Sequence, residues 1–126
     1  MWSHVLPFWR KRHDPNILFL KYEDMKKDLP KVIQKCAQFL DVSHQLTEDK
    51  ISKLCDHLNF DKMQKNPSVN LENIIDGDEV NKSSLKFIRK GQVGDWKNYM
   101  SDEMSEKFDK WIASNTIDSD LIFEYE

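Results

Sequence analysis

The sequence predicts an α/β fold that is mostly helical and contributes one buried strand. Several stretches place apolar residues at helical spacing, whereas one run, Ile17–Tyr22, is almost continuously apolar between a turn and a charged segment. One strand cannot form a sheet, so we expect partner strands outside these 126 residues or in another chain. No repeat or linker marks a boundary, and residues 1–126 are interpreted as one domain.

The first elements surround this strand. Apolar residues in 2–12 predict a helix, which Pro7 should kink unless it falls in the first turn, because proline lacks the N–H that a helix interior uses. Residues Asp14–Asn16 are typical of a turn. Residues Glu23–Lys27 predict a helical stretch with acidic residues at the favourable end of its dipole.

Two amphipathic helices follow, and each is predicted to begin after a capping residue, Asp28 for the first and Thr47 for the second. Their predicted buried faces are Val32, Ile33, Cys36, Ala37, Phe39 and Leu40, and then Ile51, Leu54, Cys55 and Leu58. Because both cysteines lie on these faces, core packing is favoured over a disulfide. The four histidines show no ligand spacing, so no metal site is predicted.

The second half of the chain is less regular. Residues Phe60–Gln64 predict one more helical turn, which Asn66 and Pro67 should end. The polar, acidic stretch Ser68–Ser84 predicts a long loop, either a lid or a disordered segment. Ser101 is predicted to cap a last helix ending near Ser114, and residues 121–123 form an apolar segment that can dock on the body.

Composition limits the classes of partner. The chain is 39% hydrophobic and 33% charged, which is typical of a soluble globular protein. Its net charge of −3 does not favour nucleic-acid binding, and no apolar run reaches the roughly 18 residues of a membrane span. Pro7 and the basic residues 10–12 also interrupt the region where a signal peptide would be apolar. Any anion site is therefore expected to be local.

The stretch Arg89–Lys97 is the best candidate for an anion site. Arg89 offers a planar fork of donors, Lys90 a mobile charge, and Gly91 a backbone N–H that no side chain obstructs. Each charged hydrogen bond so formed is worth roughly 1.5–3 kcal/mol. The alternative is that these three residues form a solvated surface loop. For Trp96, structural packing is favoured over base stacking.

Three blocks in the same order carry a resemblance to a known family: Leu18–Lys26, Phe60–Pro67 and Arg89–Asn98. They resemble the cytosolic sulfotransferases, which use 3′-phosphoadenosine 5′-phosphosulfate (PAPS), and the resemblance runs from about Trp2 to about Phe123. It implies the C-terminal part of a P-loop-type sulfotransferase fold, in which helices flank a parallel sheet. Residues 1–126 would then be a single partial sulfotransferase domain in the cytoplasm.

The resemblance also implies a role in holding the nucleotide. The residues that it assigns to the 3′-phosphate are Arg89, Lys90 and Gly91, those beside the nucleotide are Phe87 and Ile88, and those near the adenine are Tyr22, Phe60 and Met63. For Tyr22, the alternative is a tyrosine that closes the strand with its hydroxyl in solvent.

Two departures from the family pattern change what is expected. Leu58 and Asn59 stand where the family commonly has Thr-Ser, and Asn59 could restore a donor to the purine. Asp102, after Ser101, replaces a valine of the family's dimer motif, so a homodimer through that motif is not predicted. The family's phosphosulfate loop and catalytic histidine belong to its N-terminal part and match no motif here. No catalytic residue is assigned, and we expect this chain alone to be inactive.

Three functions remain open from the sequence. The first is part of a PAPS-dependent sulfotransferase that moves a sulfuryl group, without a metal, to a phenol, alcohol or amine. The second is a non-catalytic nucleotide or anion binder. The third is a helical interaction domain whose basic loop is incidental.

Overall fold

The computed structural model describes residues 1–70, 87–88 and 90–123. Its helices are α1 (Trp2–Arg10), α2 (Tyr22–Lys27), α3 (Leu29–Phe39), α4 (Glu48–His57), α5 (Phe60–Lys65) and α6 (Asp102–Thr116), with 3-10 turns at Ser43–Gln45 and Asp95–Asn98. The chain divides into two compact units. One comprises Met1–Lys27 and Val93–Glu126, and the other comprises Asp28–Gln92.

The unit 28–92 is built around α3 and α4, and both predicted caps are confirmed. The side chain of Asp28 accepts a hydrogen bond from the backbone N–H of Lys31 at 3.0 Å, and that of Thr47 accepts one from Lys50 at 3.4 Å. Each cap satisfies a backbone donor that the first helical turn leaves without an intrahelical partner. The helices therefore begin where the sequence predicted.

The predicted buried face of α3 is only partly confirmed. Val32, Ile33 and Ala37 are buried, whereas Phe39 and Leu40 are 40% and 65% exposed. The prediction was wrong for these last two residues: Leu40 is the C-cap and leaves the helical face, and Phe39 is the last residue of α3, beyond the buried Val32, Ile33 and Ala37. On α4, Ile51 and Cys55 are half-buried, while Leu54 and Leu58 are more exposed. Both cysteine thiols are free.

The unit of residues 1–27 and 93–126 joins the two ends of the chain. The Trp9 indole Nε1–H and the Arg12 guanidinium each donate to the Asp120 carboxylate at 2.7 Å. The indole hydrogen bond and the positive charge of Arg12 hold the pKa of Asp120 below its usual range. The prediction that residues 121–123 dock is confirmed for Leu121, which is buried, whereas Ile122 is 70% exposed.

The predicted strand is not formed among the described residues. Residues 17–21 have no regular secondary structure, and Tyr22 is the first residue of α2 rather than the last of a strand. A strand requires hydrogen bonds to a neighbouring strand, and the part of the chain that the structure describes supplies none. The described fold is therefore helical, and the parallel sheet is not seen in it.

Several local predictions are confirmed. Residues 14–16 form turns, α5 ends before Pro67, and the Ser101 hydroxyl accepts a hydrogen bond from Met104 N–H at 3.3 Å at the start of α6. Pro7 lies inside α1 rather than in its first turn.

Most of the predicted loop Ser68–Ser84 lies outside the described residues. Within the described ranges, no helix is long and apolar enough to cross a membrane.

Candidate functional site

The short helix α5 is held at both of its ends by asparagine side chains. At its start, Asn59 accepts a hydrogen bond from the backbone N–H of Asp61 at 2.9 Å. Near its end, the Asn70 side-chain amide donates to the backbone carbonyl of Gln64 at 3.1 Å. Because the last carbonyls of a helix have no intrahelical partner, this bond satisfies a group that would otherwise need water. Asn70 itself is only 5% exposed.

One face of α5 contacts the segment that follows Phe87. Phe60 and Gln64 are four residues apart and therefore lie on the same side of the helix. The Gln64 side-chain amide donates to the backbone carbonyl of Ile88 at 2.9 Å. Three residues later, a Cβ atom added to Gly91 would lie 2.2 Å from Cδ2 of the Phe60 ring. The structure thus brings together residues that the sequence could only place in separate blocks.

Gly91 is required at its position for two reasons. Its φ is +61°, a left-handed conformation that costs a non-glycine residue roughly 1–2 kcal/mol. A distance of 2.2 Å to the Phe60 ring also leaves no room for any side chain. The neighbour seen here is an aromatic ring, and the prediction that a phosphate reaches the backbone N–H of Gly91 stays a prediction.

The predicted nucleotide residues of this unit differ in exposure. Phe87 is 63% exposed and Met63 is 37% exposed. Ile88 is half-buried and Lys90 is exposed. Arg89 lies outside the described residues. An exposed lysine next to a glycine amide, beside apolar side chains, can receive an anion that is attached to an aromatic base.

Tyr22 belongs to the other unit. It is the first residue of α2 and is 43% exposed. In that same unit, Gly94 adopts a left-handed φ of +77° at the start of the second 3-10 turn, and the buried Asp95 carboxylate accepts a hydrogen bond from the Asn98 amide at 3.0 Å. Trp96 is half-buried, with the Lys97 ammonium 5.9 Å from its ring centroid.

Three polar residues have roles that the sequence reasoning did not assign. The side-chain oxygen of Asn59 caps α5, and donation from its amide N–H₂ to the purine stays a prediction. Gln64 and Asn70 were not singled out, although the spacing of Phe60 and Gln64 could have indicated a shared face. His57, at the end of α4, is exposed. No cluster of three metal-ligating side chains occurs in the described ranges.

Comparisons of the sequence with a family model and with known proteins all match sulfotransferases. Residues 1–120 match the family model described as "Sulfotransferase domain". The chain is 41% identical over 126 residues to luciferin sulfotransferase of Photinus pyralis, a match that covers 98% of this chain and 34% of the relative. It is 36% identical over 125 residues to human sulfotransferase 1E1, covering 99% of this chain and 42% of that protein.

Solved structures agree with the sequence matches. A crystal structure of retinol dehydratase with androsterone and the inactive cofactor PAP is 42% identical, with a TM-score of 0.90 over 99% of this chain and 36% of that one. A mouse sulfotransferase complexed with PAP is 29% identical, with a TM-score of 0.74 over 94% of this chain and 41% of that one. The chain therefore spans between a third and a half of the length of the relatives it matches.

Proposed function

Because the chain belongs to the sulfotransferase domain family, we propose that it forms the part of a sulfotransferase that holds the 3′-phosphate and adenine of PAPS. The enzyme transfers the sulfuryl group to a hydroxyl or amine of a small-molecule acceptor, and it acts in the cytoplasm. Two similar solved structures are complexes with PAP, the nucleotide that remains after sulfuryl transfer. Their likeness supports a nucleotide site in this chain.

The observation that carries the proposal is the contact of α5 with Ile88 and Gly91. Gln64 donates to the carbonyl of Ile88 and the Phe60 ring lies against Gly91, so a glycine that follows a lysine in the chain lies next to an aromatic side chain. A 3′-phosphate carries two negative charges close to an adenosine, which is the combination of groups that such a site complements. Charged hydrogen bonds supply affinity for the phosphate, and the apolar side chains supply contact area for the base.

Within this site, each residue has a proposed task. Lys90, Arg89 and the backbone N–H of Gly91 bind the 3′-phosphate. Phe87 and Ile88 pack beside the nucleotide, and Phe60 and Met63 lie near the adenine. Tyr22, which belongs to the other unit, is proposed as an adenine contact from the resemblance alone. The donor, when bound, supplies the sulfuryl group. Sulfuryl transfer, like phosphoryl transfer, depends mainly on positioning and electrostatic stabilisation. This chain contributes to positioning by fixing the nucleotide end of the donor.

The family's dimer motif is not part of the proposal. The Ser101 hydroxyl is used as the N-cap of α6, and Asp102 is exposed in the first turn, where a negative charge is favoured by the helix dipole. Pairing Asp102 with its copy across a twofold axis would instead bury two like charges.

Calorimetry with two nucleotides tests the proposal. The 126-residue chain is titrated with PAP and with adenosine 5′-phosphate, which lacks the 3′-phosphate, and the titrations are repeated with Arg89→Ala. Loss of one charged hydrogen bond predicts about a 10- to 100-fold weaker affinity for PAP and little change for adenosine 5′-phosphate. Arg10→Ala, which removes an exposed arginine at the end of α1, is the matched control. An equal loss for both nucleotides would contradict the proposal.

A second candidate function is a nucleotide binder without transferase activity. It is supported by the same contacts of α5 with Ile88 and Gly91, because a site can hold a nucleotide without transferring a sulfuryl group. Transfer of labelled sulfate from PAPS to any of a panel of phenols, alcohols and amines excludes the second candidate. Binding of PAP without transfer fits both candidates, because this chain alone is expected to be inactive.

A further inference from the structure

We propose that Gln64 and Asn70 are positioning residues that hold the backbone at Ile88, two residues before Lys90, and so keep Lys90 in the orientation needed to bind a phosphate. The inference rests on the proposed function, since it concerns the same nucleotide site. Neither residue is expected to touch the nucleotide. Each acts through the chain segment to which it is hydrogen-bonded.

Gln64 provides the direct link. Its side-chain amide donates to the Ile88 carbonyl at 2.9 Å, and this bond is partly buried. On the other side of Lys90, Gly91 is fixed against the Phe60 ring. The two contacts are three residues apart in the segment and come from one face of α5. Because Ile88 and Gly91 are both held by the same helix, Lys90, which stands between them in the chain, has fewer backbone conformations open to it.

Asn70 holds the backbone of Gln64 by a hydrogen bond. Its amide donates to the Gln64 backbone carbonyl at 3.1 Å, and its own backbone N–H donates to the Asn66 carbonyl at 3.0 Å. A six-residue helix such as α5 is far shorter than the roughly 12 residues at which isolated helices become stable in water. External hydrogen bonds must therefore hold it in place. Asn70 is 5% exposed, so its bonds do not compete with bulk water.

Amide hydrogen exchange of the ligand-free 126-residue chain tests the positioning directly. Gln64→Glu keeps the size of the side chain but replaces its donor with a carboxylate that can only accept. We expect the amides of Lys90, Gly91 and Gln92 to exchange about three- to tenfold faster, the equivalent of one lost neutral hydrogen bond. Gln64→Lys retains a donor and should restore slow exchange. The control is Gln34→Ala, an exposed glutamine of α3 in the same unit.

Asn70→Asp removes the amide donor with little change of shape and should accelerate exchange at the same three amides. If exchange there is no faster in Gln64→Glu than in Gln34→Ala, the proposal is overturned. If Gln64→Glu accelerates exchange but Asn70→Asp does not, Asn70 is not a positioning residue. Should Asn70→Asp fail to fold, the Gln64 variants still decide the matter, because Gln64 is only half-buried.

Nucleotide selectivity separates this inference from the function on which it rests. The ratio of the affinities for PAP and adenosine 5′-phosphate should fall about three- to tenfold in Gln64→Glu and recover in Gln64→Lys. A general loss of stability would weaken both nucleotides equally and leave the ratio unchanged, which would count against positioning. If the wild-type chain does not discriminate between the nucleotides but exchange still responds to Gln64→Glu, the proposed function fails and the fixing of the segment stands.

Discussion

Replacing Gly91 with alanine tests the contact between this residue and the Phe60 ring of α5. The alanine would have to keep the φ of +61°, and its Cβ would lie 2.2 Å from the Phe60 ring. The left-handed backbone costs about 1–2 kcal/mol, and forcing a methyl group into an occupied space costs typically about 1–3 kcal/mol more. Together these costs destabilise the packing of residue 91 against α5 by about 2–5 kcal/mol. If that arrangement is needed for binding, the affinity for PAP should fall by at least about 30-fold.

The double variant Gly91→Ala/Phe60→Ala makes the test specific to the contact. Removing the ring relieves the collision but leaves the backbone strain, so in this background Gly91→Ala should cost only about 1–2 kcal/mol. Urea unfolding of the four proteins gives the coupling between the two positions, which we expect to be about 1–3 kcal/mol. Gly94→Ala, at a φ of +77°, reports the cost of left-handed strain at the second glycine of the stretch. Equal costs of Gly91→Ala with and without the Phe60 ring would refute the contact.

Three further predictions concern the body of the protein. Since the Trp9 indole and then the Arg12 charge lower the pKa of the folded Asp120 carboxyl, its contribution to stability is present above the usual carboxyl range and is lost as pH falls through the lowered pKa. The difference in melting temperature between wild type and Asp120→Asn should accordingly shrink in acid, and a constant difference from pH 7 to pH 2 would contradict this. Asp28→Ala removes the cap of α3 and should cost about 1 kcal/mol in urea unfolding, whereas Asp28→Asn, which retains a capping oxygen, should cost much less. Ile33→Val in the buried face of α3 should cost about 0.5–1.5 kcal/mol by the same measurement, and no change would show that this face is not packed.

The features that sequence predicted best are those decided by a few neighbouring residues. Asp28, Thr47 and Ser101 each begin a helix as expected, because the capping hydrogen bond reaches only three residues along the chain. The end of α5 before Pro67 is similarly local. Resemblance to the sulfotransferases, carried by three short blocks, predicted the family that the comparisons then showed.

Features that depend on distant partners were harder to predict. Residues 17–21 have the composition of a strand, but strand formation needs a neighbour that the described residues do not include. The contact between Phe60 and Gly91 joins two blocks that are far apart in the sequence, and no local rule brings them together. Gln64 was missed for the same reason, since its importance appears only when Ile88 lies opposite its side chain. The roles of Arg89 and Tyr22 stay predictions.

Mapping PAP onto the chain by NMR tests the central claim most directly. The 126-residue protein, labelled with nitrogen-15, is titrated with PAP and separately with adenosine 5′-phosphate. The account predicts that the amide signals of Lys90 and Gly91 move with PAP and move much less with adenosine 5′-phosphate, because the 3′-phosphate binds at those amides. If PAP leaves these two signals unchanged, or shifts them no more than adenosine 5′-phosphate does, the phosphate is bound elsewhere or not at all, and the account is contradicted.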